Sequence, residues 1–134
     1  MSRGEGIDKI MEGLDEHFVR SMRNWARWFV GSSEAYASTS AYDGQASDCW
    51  GDHGVPILTG EATDVDTALH AIDQRYRRAV MIFWTHEGES LPRMAMRIRP
   101  VMDYRTAQVW ITTGHEQLQA ELTRRRRTQR HAIA

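Results

Sequence analysis

The chain has 134 residues, 41% hydrophobic and 26% charged, which suits one globular domain and excludes an intrinsically disordered chain. No run approaches the roughly 20 apolar residues that a membrane-crossing helix needs, and the polar, Gly-rich residues 1–9 are not followed by the apolar stretch of a signal peptide. A cytoplasmic protein with no membrane partner is therefore expected. The net charge of −1 hides a split: residues 1–73 hold five Lys and Arg against thirteen Asp and Glu, whereas residues 74–134 hold twelve Arg against five acids, a net of +7.

In chain order, Ile7, Ile10, Met11, Leu14, Phe18, Met22, Trp25, Trp28 and Phe29 recur every three or four residues and predict one amphipathic helix over residues 6–30. Gly31 stands where a C-cap would end it. Asp8, Glu12, Glu16, Arg20, Arg23 and Arg27 form its solvated face, and the Trp25–Trp28 pair reads as core. Residues 31–62 are rich in Ser, Thr, Gly and Asp and show no period, so an irregular excursion is expected, pinned by Tyr36, Tyr42 and Trp50.

Thr63, Asp64 and Asp66 offer a hydroxyl cap and first-turn acids. The stripe Val65, Leu69, Ile72, Tyr76, Ala79, Val80 and Phe83 then carries a helix to about His86, where Gly88 breaks it. Ser90-Leu91-Pro92 opens a short helix with Met94, Ala95 and Ile98 inward, and Pro100 stops it. Asp103 can cap a last helix with Ala107, Ile111, Gly114 and Leu118 on its inner face. The β-branched run at 108–113 suggests a strand by propensity, but the continuing helical spacing favours helix. Residues 123–134 form a basic tail expected to fray.

A short helix with a small inward residue (Ala95), a turn, and a helix exposing polar side chains is the pattern of a helix-turn-helix. With Ala107, Ile111 and Gly114 inward, Arg105, Gln108, Val109 and Thr112 fall outward. Arg and Gln can bond guanine and adenine edges bidentately, and the Thr methyl can meet the thymine methyl. Arg97 and Arg99 suit phosphate contacts at the turn. Arg124, Arg125, Arg126 and Arg127 follow the candidate recognition helix and would add sequence-independent affinity. The competing reading is a helical hairpin with a solvated face.

Cys49, His53, Asp48 and Asp52 do not complete the four closely spaced ligands of a structural zinc, and a lone Cys49 makes no internal disulfide. No cofactor or metal is expected, and no nucleotide-binding glycine loop or nucleophile motif marks an enzyme.

Three stretches resemble the late-gene antiterminators of lambdoid phages, in the Q-type branch whose DNA-binding part is similar to sigma-factor region 4. Met22-Arg23-Asn24-Trp25-Ala26-Arg27-Trp28 is similar to the Trp-containing first helix of that family. Asp64-Val65-Asp66-Thr67-Ala68-Leu69-His70-Ala71-Ile72, leading through Tyr76-Arg77-Arg78-Ala79-Val80, resembles its acidic helix start. Met94-Ala95-Met96-Arg97-Ile98 with Thr106-Ala107, Ile111, Gly114 and Leu118 resembles the sigma-type register. Two extra residues stand in the turn near Arg99-Pro100-Val101-Met102-Asp103, and Gly114 replaces the usual Ala.

The resemblance implies a mostly α-helical single domain (residues 1–134) with a C-terminal helix-turn-helix. It also implies a non-enzymatic transcription factor that binds double-stranded DNA near a late promoter. Such a factor modifies bacterial RNA polymerase holoenzyme to read through pauses and terminators, with a second copy of itself on DNA as a further partner. Three rivals stay open: a promoter-binding activator or sigma-like regulator, a polymerase-binding module without DNA binding, and a metal-dependent nuclease using Asp43, Asp48, Asp52 and His53.

Overall fold

The computed structural model describes residues 5–37, 56–98 and 102–133. Over these residues the chain forms six helices and no strand: α1 (Glu5–Glu12), α2 (Glu16–Ala37), α3 (Thr59–Ala71), α4 (Gln74–Thr85), α5 (Leu91–Arg97) and α6 (Tyr104–Ile133). The protein is thus mostly α-helical, and the β-branched run at 108–113 is helix.

Several boundaries differ from the expected ones, each for a local reason. The single helix expected over residues 6–30 is two. Gly13 N–H donates to Ile10 O at 3.3 Å and Leu14 N–H to Met11 O at 3.0 Å, which closes α1. The Asp15 carboxylate then accepts from Phe18 N–H at 2.8 Å and starts α2 as an N-cap. Gly31 is not a C-cap, because α2 runs through it to Ala37. The irregular excursion expected over residues 31–62 therefore loses residues 31–37 to α2 and 59–62 to α3. Residues 38–55, which include Tyr42, Asp43, Asp48, Cys49, Trp50, Asp52 and His53, lie outside the described residues.

α3 begins at Thr59 rather than Thr63, whose hydroxyl donates back to Gly60 O at 2.9 Å within the first turn. Leu58 ahead of it brings no side-chain cap. Asn24, buried on α2, clamps Leu58 instead: its Nδ2 donates to Leu58 O at 2.9 Å and its Oδ1 accepts from Leu58 N–H at 2.8 Å. The continuous helix expected up to His86 breaks at Ile72, whose backbone is extended (ψ 169°). Asp73 restarts it by accepting from Arg75 N–H at 2.9 Å. The tail does not fray; α6 is helical to Ile133.

The apolar stripes close into one core. Met22 and Trp25 of α2, Leu69 of α3, Val80, Phe83 and Trp84 of α4, Leu91 and Met94 of α5, and Ala107, Ile111 and Leu118 of α6 are all buried. Burying one such large side chain contributes about 1.5–3 kcal/mol. Trp25 stacks on Phe29 with ring centroids 5.0 Å apart and donates its indole N–H to Asp66 Oδ1 at 3.1 Å. Trp28, expected as its core companion, is only half-buried at the edge.

Two contacts fix α6. Where it crosses α4, a Cβ at Gly114 would stand 2.9 Å from Tyr76 O and 2.5 Å from Val80 Cγ2, so the two backbones approach too closely for any side chain. One residue on, His115 is enclosed by Phe18, Phe83 and Trp84, each edge-on to its ring at 5.4–5.8 Å between centroids. The Trp84 indole N–H donates to His115 Nε2 at 2.9 Å. An indole can only donate, so Nε2 is the acceptor and the neutral ring carries its proton on Nδ1. That nitrogen is buried without a partner among the described residues. Burial pushes the His115 pKa down to about 4.

Gly→Ala inside a helix ordinarily stabilises by about 1 kcal/mol. At Gly114 the contact with the Tyr76 backbone reverses the sign, and Gly114→Ala is expected to lower the unfolding free energy by about 1–2 kcal/mol, read as a lower urea midpoint. An unchanged or raised midpoint would mean that α4 and α6 separate freely. His115 gives a pH dependence. Its folded pKa lies below the unfolded value of 6.5, so the unfolded chain takes up a proton first as the pH falls from 6.5 towards 4. Stability is complete above 6.5 and falls by about 2 kcal/mol by pH 5. His115→Gln should flatten that part of the stability profile; if it leaves the slope between pH 7 and 5 unchanged, the residue does not set it.

Candidate nucleic-acid interface

α5, the connection after it and α6 carry the residues singled out for DNA contact. The Ser90 hydroxyl accepts from Arg93 N–H at 3.4 Å and caps α5, with Pro92 in its first turn. Leu91, Met94, Ala95 and Ile98 are buried, which seats α5 on the core and turns Arg93, Met96 and Arg97 outward. The Asp103 carboxylate accepts from Thr106 N–H at 2.7 Å and caps α6 as expected. Those first-turn N–H groups hold its pKa below the ordinary carboxylate range.

On α6 the buried residues Ala107, Ile111, Gly114, His115 and Leu118 define the inner side. Arg105, Val109 and Thr112 are exposed, and Val109 at 60% is among the most exposed large apolar side chains described. Positions 105, 109 and 112 follow the i, i+4, i+7 rule, so the three form one straight stripe along the first two turns of a helix locked on its other side. The Arg105 guanidinium lies 5.8 Å from the Tyr104 ring and makes no ion pair among the described residues. The Tyr104 hydroxyl, 3.4 Å from Arg105 Nε, is the main cause of its raised pKa.

The remaining predicted contacts are placed less openly. Gln108 is half-buried under α1: a Cβ at Gly6 would stand 3.2 Å from its Oε1 and 2.6 Å from Leu91 Cδ2. Arg97 is held bidentately by Glu89, with Nε to Oε1 at 2.8 Å and a terminal nitrogen to Oε2 at 2.7 Å. The guanidinium in turn lowers the Glu89 pKa. Arg99 lies outside the described residues. Arg124 and Arg125 both bond the Glu121 carboxylate. Arg126 and Arg127 are exposed and make no ion pair among the described residues. At 1.5 Å per residue the 30-residue α6 is about 45 Å long. No residue from 123 to 129 is buried, so this end projects from the core.

Sequence reasoning passed over Arg93 and Met96, the latter 71% exposed on the outer side of α5. The inward set Met94, Ala95 and Ile98 contained the signal, since it leaves 93, 96 and 97 on the opposite side at i, i+3, i+4. Gln108, expected outward from the spacing on α6, is covered instead by α1, which folds back from far away in the chain. Among the described residues no three His, Cys, Asp or Glu side chains are grouped as a metal site would need. No helix among them is long and apolar enough to cross a membrane.

Comparison with known proteins adds no relative: no family model, no curated protein and no solved structure matches the chain.

The Arg97–Glu89 pair has a measurable consequence. Glu89→Gln releases the guanidinium for one more phosphate, so the slope of log affinity for duplex DNA against log salt should steepen by about 0.9. An unaltered slope would place Arg97 away from the backbone.

Proposed function

We propose that the chain is a DNA-binding regulator of transcription that presents the Arg105, Val109 and Thr112 stripe of α6 to a DNA groove. The observation that carries this reading is the stripe itself: exposed, without a carboxylate partner for Arg105, and on a helix whose other side is fixed by Ala107, Ile111 and Leu118. An Arg at the start of such a helix suits a guanine edge, and the Val and Thr methyl groups suit a thymine methyl. Gln108, turned under α1, has a lesser part in this reading than Arg105. Arg126 and Arg127, on the projecting end of α6, supply sequence-independent attraction to phosphate.

Within that class the reading extends to antitermination of the phage late-gene type. It rests on the residues that resemble that family: the Trp25–Trp28 stretch, the acidic start at Asp64–Asp66, and the Met94–Leu118 register. The protein would load at a late promoter, engage the bacterial polymerase held nearby and leave with it, with no bond made or broken by its own side chains.

Two measurements test the proposal. Arg105→Ala should weaken binding to the cognate site roughly ten- to a hundredfold, the loss of one bidentate base contact, while affinity for random DNA changes little. Equal losses on both would remove α6 as the reading element. Transcription in vitro with purified bacterial polymerase, on a template holding the cognate late promoter and a downstream intrinsic terminator, should show readthrough that requires the promoter-proximal DNA. Unchanged termination with altered initiation would make the protein a promoter-level regulator instead.

A further inference from the structure

α4 has two opposite sides, and the second is unclaimed. Residues on a helix advance by about 100° each, so Tyr76, Val80 and Phe83 share one side while Gln74, Arg78, Met81 and Thr85 share the other. The first side meets α6 at Gly114. The second lines a groove of about 360 Å³, together with Phe29 of α2 and His70 at the end of α3.

The groove has an apolar floor and a cationic rim. Phe29, Met81 and Ile82 are half-buried and form the floor. Phe29 is held from behind by its stack on the buried Trp25, so that part of the floor is built into the core. Arg77 and Arg78 stand on the rim, and neither guanidinium makes a hydrogen bond or ion pair among the described residues. The neighbouring acid, Asp73, is already occupied by Arg75. By contrast, Arg75 of the same helix pairs with Asp73, and Arg23 of α2 is held by Glu87 at 2.7 Å.

We propose that this groove docks a segment of a partner protein in which acidic residues alternate with large apolar ones. The two unpaired guanidinium groups call for carboxylates, and the floor between α2 and α4 calls for apolar side chains. A nucleic acid would satisfy the rim but leave the floor uncovered, so a peptide fits the chemistry better. The partner would then lie on the far side of α4 from the Arg105 stripe, and both surfaces can be engaged at once. The groove is independent of the DNA-binding proposal, because it shares no residue with that stripe.

The test uses the whole protein and a short fluorescein-labelled peptide alternating Glu with Leu and Phe, read by fluorescence anisotropy. Binding is expected, with affinity falling about tenfold in the Arg77→Gln/Arg78→Gln double variant, the loss of two solvent-facing ion pairs. Met81→Ala should weaken it independently of salt. Neither change touches a buried polar contact, and circular dichroism checks that both variants fold. Arg105→Ala should leave peptide affinity intact while impairing DNA binding, which separates failure of the groove from failure of the α6 reading. No binding of the peptide overturns the proposal. So does equal binding of a version with Lys in place of Glu, or displacement of the peptide by duplex DNA from the Arg105→Ala protein.

Discussion

The structure turns on the crossing of α4 and α6 at Gly114. Helix axes ordinarily sit 8–10 Å apart with side chains interleaved between them. Here the helix backbone of α6 meets Tyr76 O and Val80 with no room for a Cβ. That contact fixes the rotation of α6 about its own axis, and His115 enclosed by Phe18, Phe83 and Trp84 fixes its height. With both set, Ala107, Ile111 and Leu118 must face the core, and positions 105, 109 and 112 must face solvent. The exposed stripe is thus a consequence of a buried glycine on the opposite side of the same helix. The neutral imidazole that completes the enclosure exposes the same joint to protonation.

Much of this was legible in the sequence because it is written at short range. The spacing of 107, 111, 114 and 118 gave the inner side of α6 against the β-branched propensity of 108–113. Ser90 with Pro92, and Asp103, marked their helix starts correctly. What stayed hidden divides into two kinds. The breaks at Gly13–Asp15 and Ile72–Asp73 fall inside apolar stripes that keep their period, because the stripe follows burial against a common core and not continuity of one helix. Asp15 and Asp73 were the available clues, each a capping residue inside an apparently unbroken pattern. The other kind is long-range: Asn24 clamping Leu58, 34 residues on, and α1 covering Gln108. No local pattern encodes either.

Charge shows the same division. The sequence counts twelve Arg in its second half, but the folded chain has already used several of them. Arg97 is held by Glu89, Arg124 and Arg125 share Glu121, and Arg75 is tied to Asp73. Exposed pairs of this sort contribute little to stability, typically under about 1 kcal/mol. Their effect on partners is larger, since a guanidinium already bonded to a carboxylate offers phosphate only what an exchange leaves over. Arg23 with Glu87 reaches across the split, joining the acidic half to the basic one. Among the described residues of that half, the arginines left without a carboxylate are fewer and fall in separate places: Arg93 on α5, Arg105 on α6, Arg126 and Arg127 on its projecting end, and Arg77 and Arg78 over the groove.

That separation bears on how one chain could engage both of the partners proposed for it. α4 is twelve residues long, packed on one side by α6 and flanked on the other by the groove. Its buried side is a continuous set of Ala79, Val80, Phe83 and Trp84. A close-packed helix of this kind transmits displacement as a rigid body, since interiors at crystal-like density have no slack to absorb it. An occupant pressing on Phe29 and Met81 therefore acts on the same helix that sets the position of Gly114. Coupling between the two surfaces then requires only that the occupant favour one seating of α4 over another, because a ligand shifts an equilibrium by its differential affinity and by nothing else. If it binds both seatings alike, the two sides of α4 work independently, and the helix serves only as the wall between them.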